Sequence, residues 1–332
     1  MSTAAAAMVL VEECALQLDE PVDRLLPELA DRRVLKRLDG PLDDTEPAKR
    51  PITIRDLLDF GMGFGLMFGP PDAYPILQAL DEQQIMIGPP KPPTPHAPDE
   101  WIRRLGSLPL MHQPGERWMY NTGAHVLSVL IARASGQPFE TFLRERIFEP
   151  LGMEDTAFSV PADKLDRFPP CYEEDPQSGG LRVHDGVQDS QWARAPIFPD
   201  GAAGLVSTVD DYLAFGQMML RKGRHGRERI LSRPSVEVMT TDQLTPERRA
   251  ASDLFLLGES YGWGFGVAVC TRRDDVSSVP GRFGWDGGYG TSWYSDPTED
   301  VVGILMTQCL AAPQYSSLRL DFWTSAYQAI DD

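Results

Sequence analysis

The run Gly258-Glu259-Ser260-Tyr261-Gly262 has the G-x-S-x-G spacing that can hold a serine hydroxyl exposed on a sharp strand-to-helix elbow, ready to attack a carbonyl. Its context argues against that chemistry. An elbow of this kind is followed along the chain by an acid and then a histidine, yet no histidine follows His225, and the segment after Ser260 reads as strand rather than helix. Ser260 is therefore read first as a polar residue leading into a strand, and a relocated nucleophile stays as the alternative. The five histidines stand at 96, 112, 125, 184 and 225, no two of them three or four apart, so no helix offers a paired metal site. No G-x-x-x-x-G-K-[ST] phosphate loop occurs. The four cysteines, Cys14, Cys171, Cys270 and Cys309, lie far apart with no C-x-x-C, which reads as free thiols in a reduced, cytoplasmic setting. Charge closes another route: 49 acidic against 31 basic side chains leave a formal net charge of -18 over 332 residues, the opposite of what a nucleic-acid face requires.

Any site must be positioned by elements that the residue pattern predicts, and 42% hydrophobic residues are enough to bury a sizeable core. Thr3 to Glu13, rich in Ala, Met, Leu and Glu, predicts a helix that begins almost at the first residue, with Ser2 or Thr3 as its cap. Its apolar run, Ala4 to Val11, has eight residues, too few for a membrane span, and lacks the basic lead-in of a signal peptide. A Pro-punctuated helical piece to Leu29 follows, then a short helix over Pro51 to Leu58 with Thr53 as cap. From Gly61 to Pro98 the composition turns to Gly, Met, Phe and Pro, with six prolines within 89–98. That predicts a long irregular excursion of the functional kind, an interdomain linker being the other reading. Residues 124–134 place Val126, Leu127, Leu130, Ile131 and Ala134 on one stripe that Gly136 terminates, and a second helix runs from Pro138 to Phe148. Tyr261 to Val269 and Val301 to Thr307 read as strands, and Leu320 to Ile330 as a closing helix. Together these predict an α+β fold, an antiparallel sheet flanked by helices beside a mostly helical subdomain, with no internal repeat.

Six segments then form an ordered set: Ala4 to Glu13 with Leu18-Asp19-Glu20-Pro21-Val22; Ile52 to Leu58; Pro114-Gly115-Glu116-Arg117-Trp118-Met119-Tyr120; Phe148 to Met153; Gly204 to Thr208; and Gly284-Trp285-Asp286-Gly287-Gly288. In order and content this set resembles the serine β-lactamase and penicillin-binding superfamily, nearest to its class C branch and to family VIII-type carboxylesterases. The resemblance implies a relay of three parts. A serine at a helix start attacks the carbonyl while the lysine of S-x-x-K, one turn on, handles its proton; a loop tyrosine completes the relay; a strand ending in K-T-G, H-x-G or W-x-G lends a backbone N–H to the oxyanion hole. By this resemblance Tyr120, five residues after Gly115, is the relay tyrosine, and Gly288 the oxyanion donor. Trp285 and Gly287, from the Trp285-Asp286-Gly287 that stands in place of K-T-G, are implied to bind substrate. Two departures matter. Thr122 occupies the position where Y-x-N wants asparagine, and Asn121 is the chain's sole asparagine. His125 stands where the esterase branch often carries an acid, either as a satisfied helix-start residue or as an altered relay. Without the lysine of K-T-G, the implied substrate is an uncharged ester acyl group rather than a β-lactam.

The S-x-x-K motif itself is absent. Lysines occur at 36, 49, 91, 164 and 222, and three residues before them stand Arg33, Glu46, Gly88, Pro161 and Met219. Aligning the Ala-rich helix with the family's places the lysine at position zero, so the nucleophilic serine and the lysine are expected ahead of Met1, together with an N-terminal helix and the first strands of the sheet. A start assigned too late or a truncated gene is the leading expectation; a non-catalytic binding or scaffold homologue, and a hydrolase using Ser260, are the others. The chain is thus read as one β-lactamase-like domain over 1–332, with 1–20 and 203–332 as its α/β part and 21–202 as its helical part. The cleft between them is expected to be lined by Tyr120, the Gly288 neighbourhood and the 61–98 excursion. The implied function is hydrolysis of small-molecule esters or amides through an acyl-serine intermediate, inactive in the chain as it stands. No cofactor, metal, nucleic acid or membrane is implied, and neither the substrate nor the oligomeric state is legible.

Overall fold

A helix that is apolar all round is stable only inside a core. Helix α1 (Ser2–Glu12) is of this kind, with Ser2 to Leu10 buried. It starts from Met1 without a side-chain cap, so Ser2 and Thr3 lie inside the helix rather than capping it. The Thr3 hydroxyl instead donates to the Gly201 carbonyl at 2.6 Å, tying the helix start to a distant loop. The computed structural model describes all residues except 68, 70–72, 86–90, 92, 254–255, 311–315 and 332.

Helix α2 (Ile54–Leu58) is started by Thr53, whose hydroxyl accepts from the Asp56 N–H while the Asp56 carboxylate accepts from the Thr53 N–H. The 61–98 segment is not irregular throughout. It contains α3 (Pro75–Glu82), whose Ile76, Ala79 and Leu80 are buried at helical spacing and whose Pro75 suits a first turn. Pro89, Pro90 and Pro92 lie outside the described residues. Helix α4 (Pro98–Ser107) follows, then α5 (Thr122–Ser135), which ends at Gly136 in the left-handed conformation and packs along α1. The single helix predicted over Pro138–Phe148 is divided. Pro138 precedes α6 (Phe139–Leu143), and a π turn over 144–148 leads into α7 (Glu149–Leu151).

Three small pairs stand apart from the main sheet: β1 (Arg33–Leu35) with β2 (Thr45–Pro47), β3 (Cys171–Glu174) with β4 (Leu181–Asp185), and β5 (Arg224–His225) with β6 (Glu228–Arg229). The main sheet is an antiparallel meander of five strands in chain order: β7 (Tyr261–Trp263), β8 (Ala268–Cys270), β9 (Phe283–Asp286), β10 (Ser292–Asp296) and β11 (Val301–Leu305). The stretch predicted as one strand, Tyr261 to Val269, is therefore a hairpin. Gly264 N–H bonds the Val267 carbonyl, and Gly266 at φ +71° turns the chain so closely against α1 that a Cβ there would lie 2.8 Å from the Ala4 methyl. Helix α8 (Val209–Leu220) lies on one sheet face, with Gly216 against Trp293 and Val302. Helices α9 (Arg233–Met239) and α10 (Pro246–Ala251) flank the hairpin, and Arg248 of α10 makes a buried ion pair with Asp59 at 2.8 Å. Helix α11 (Ser316–Gln328) rests Trp323 on Gly303. Successive strand residues point to opposite faces, so α8 over Val302 and α11 over Gly303 cover the two sides of β11. Arg282 is stacked against Tyr294, Trp323 and Tyr327, which clamps α11 to the sheet.

Candidate active site

Three pieces of backbone end at one cavity of about 400 Å³: the start of α1 at Met1 to Thr3, the entry to α5 at Tyr120 and Asn121, and the β9–β10 turn at Gly287 and Gly288. The contact of Gly266 with Ala4 fixes the first against the sheet. The second passes through Asn121 at φ 143°, a conformation rare for a residue with a side chain. In the third, Gly287 N–H donates to the Thr291 carbonyl at 2.7 Å and Gly290, at φ +75°, closes the turn onto the Gly287 carbonyl. Gly288 sits at the exposed tip, with open space where a side chain would stand and, among the described residues, no acceptor for its N–H.

Tyr120 packs in an aromatic wall with Phe60 at 5.8 Å, Trp285 at 5.4 Å and Trp263 at 6.3 Å between ring centroids. The Trp285 indole N–H donates to the Tyr120 oxygen at 2.7 Å. Burial pushes the Tyr120 phenol up to about 12; the Trp285 bond works against this, and the charges of Asp286 and Asp200 add to it. At neutral pH Tyr120 is thus a neutral phenol whose oxygen already accepts one hydrogen bond. That leaves its own O–H as a donor toward the cavity.

Asp200, which the sequence did not single out, also lines the cavity. Burial would raise its pKa, but His125 opposite it and the N–H groups of Ala202 and Ala203 outweigh this and hold the carboxyl below the usual range. His125 Nε2 lies 3.4 Å from Asp200 Oδ1, and its ring stacks on Trp101 at 5.7 Å. His125 itself is buried behind Asp200 and does not line the cavity. The one sequence signal for Asp200 is the turn dipeptide Asp200-Gly201, which marks a loop and not a site.

One expectation fails here. Among the described residues, the 61–98 excursion does not line this cavity; its Leu66, Met67 and Tyr74 line a smaller one of about 200 Å³, which Tyr120 also borders. Ser260 lies outside the cavity at the entry to β7, with its hydroxyl engaged by the Asp274 carboxylate and Arg272 rather than by an imidazole base. Among the described residues no cluster of three or more His, Cys, Asp or Glu side chains is arranged to hold a metal, and no helix is long and apolar enough to cross a membrane.

A five-stranded meander between helices, with a loop tyrosine and a Trp-x-Gly turn meeting at the start of a buried helix, defines the serine β-lactamase and penicillin-binding class of fold. The chain belongs to the Beta-lactamase family, whose sequence profile matches residues 1–327. It is 38% identical over 315 residues to protein Rv1367c of Mycobacterium tuberculosis, covering 92% of this chain and 74% of that protein. It is 29% identical over 327 residues to esterase EstB of Burkholderia gladioli, again covering 92% and 74%. Unliganded simvastatin synthase (LovD) from Aspergillus terreus superposes with a TM-score of 0.78 at 24% identity, over 100% of this chain and 82% of that one, which is a likeness of fold.

Proposed function

We propose that the cavity binds small-molecule esters, as in the carboxylesterase branch of the family, with the acyl carbonyl placed between Tyr120 and Gly288. The observation that carries this reading is the convergence of Tyr120, Trp285 and the Gly287-Gly288 turn on the start of α1. Gly288 N–H is free to donate to a carbonyl oxygen, and the Tyr120 O–H, oriented by Trp285, to the oxygen of a departing alcohol. The names of relatives support the reaction class: EstB is an esterase and a Penicillium rubens relative is a lovastatin esterase.

Residues 1–332 contain no S-x-x-K, so these residues alone supply donors and a binding wall without the family's nucleophile. Loss of the nucleophile from a serine hydrolase costs on the order of 10⁶ in kcat. The 332-residue chain should therefore quench its tryptophan fluorescence on binding p-nitrophenyl butyrate yet release no burst of p-nitrophenol and take no fluorophosphonate label. A stoichiometric label would overturn this, and a label on Ser260 would install that serine as nucleophile.

A further inference from the structure

The smaller cavity, of about 200 Å³, holds a cation that the fold leaves without a counter-charge. Leu38, Leu66 and Met119 give it apolar walls, Tyr74 and Trp118 aromatic ones, and two polar side chains, Arg117 and His112, border the same space. In a chain with 49 acidic side chains against 31 basic ones, other half-buried arginines are taken up by carboxylates: Arg133 by Glu28 at 2.8 Å and Arg249 by Asp242 at 3.2 Å. Arg117 is half-buried too, yet among the described residues its guanidinium makes neither an ion pair nor a hydrogen bond. Asp253 also borders this cavity, and it makes no ion pair with Arg117.

The donors on this wall are open to a ligand. Of the guanidinium nitrogens of Arg117 only Nε is shut away from the surface; the two terminal nitrogens, equally without partners among the described residues, keep accessible surface. The ring nitrogens of His112 do so as well. Burial first, and then the charge of Arg117, lowers His112 to about 4, so at neutral pH its ring is uncharged and carries one N–H to donate. Arg117 is thus the fixed charge of the pair. A guanidinium stays ionised and presents a planar fork of N–H groups that fits a carboxylate, and a partly desolvated charge gains most from a ligand that pairs with it. We propose that this cavity binds a small organic carboxylate, its oxygens held by the Arg117 guanidinium and the His112 N–H and its apolar body laid against Leu66 and Trp118. The walls favour a carboxylate with a ring over one as small as acetate. This site stands apart from the ester-binding reading, since neither Arg117 nor His112 lines the larger cavity.

Benzoate, benzamide and acetate test this, each titrated into the 332-residue chain and followed by calorimetry and by tryptophan fluorescence, with Trp118 on the cavity wall. Benzoate and benzamide share a ring and differ in charge, so benzoate should bind roughly tenfold more tightly, as a charge-assisted pair implies, and acetate more weakly than benzoate. Salt at about 1 M should shrink the preference for benzoate. Arg117→Met keeps an apolar stem of similar length and should bring the two aromatic probes within about threefold of each other, while Arg117→Lys, which keeps the charge without the fork, should fall between. The variants are compared at matched thermal transitions, and the benzoate to benzamide ratio in the unsubstituted chain stands without them. Equal binding of benzoate and benzamide, no binding of benzoate, or a preference that survives Arg117→Met would overturn the carboxylate site. None of these outcomes bears on the binding of p-nitrophenyl butyrate, which tests the ester reading separately.

Discussion

Tyr120 keeps its proton across most of the pH range because burial, more than any single neighbour, resists formation of the phenolate. Its folded pKa, about 12, stands above the ordinary value, so the stability it contributes is full below about pH 10 and is lost as pH rises through 12. Tyr120→Phe should remove that part of the alkaline loss, seen in urea titrations between pH 9 and 12. At neutral pH it should cost about 0.5–1.5 kcal/mol, because the Trp285 indole loses its acceptor. His112 is the acid-side counterpart. Burial first, and then the charge of Arg117, lowers it to about 4, so it is held neutral in the folded chain while the unfolded chain protonates near 6.5. The sign is opposite: stability falls as pH drops from about 6.5 toward 4. His112→Gln should flatten that part of the stability profile, and an unchanged slope would remove His112 as its source.

Elements were legible where the signal is local and hidden where it is a contact. Thr53 and Gly136 mark helix ends by chemistry that acts within one turn, and both do so in the structure. The hairpin over 261–269 was missed because a run of β-forming residues looks continuous until Gly266 is seen against Ala4, far away in sequence. The site divides the same way. Tyr120, Trp285, Gly287 and Gly288 were legible through ordered motifs, whereas Asp200 acquires its place only when a loop folds over α5 to meet His125. Long-range pairing also makes the sharpest stability prediction. Asp59 is buried with its pKa raised by burial, and Arg248 of α10 is its counter-ion. Arg248→Met should destabilise by about 3–5 kcal/mol at pH 7 in chemical denaturation, since it leaves a buried carboxylate uncompensated. A group with a raised pKa loses stability as pH rises, so this deficit should shrink in acid; a deficit constant with pH would mean that packing, not charge, was lost.

Across the whole molecule, charge and the sheet edge oppose each other. Among the described residues β11 pairs only with β10, leaving one side of a half-buried apolar strand without a partner strand. Such an edge invites association, while a formal net charge of -18 keeps copies apart. Raising salt removes the repulsion and not the edge, since the Debye length falls to about 3 Å at 1 M. Sedimentation velocity should find a single small species in dilute buffer and larger ones at 1 M salt, and a Val301→Lys substitution on the edge should suppress them. A distribution indifferent to salt would show the edge to be inert. The start of α1 has a practical corollary of another sort. Met1 lines the same cavity as Tyr120 and the glycine turn, so whatever is joined to its nitrogen starts beside the space a ligand would fill. Handles for purification or immobilisation therefore belong after α11, none of whose residues line that cavity.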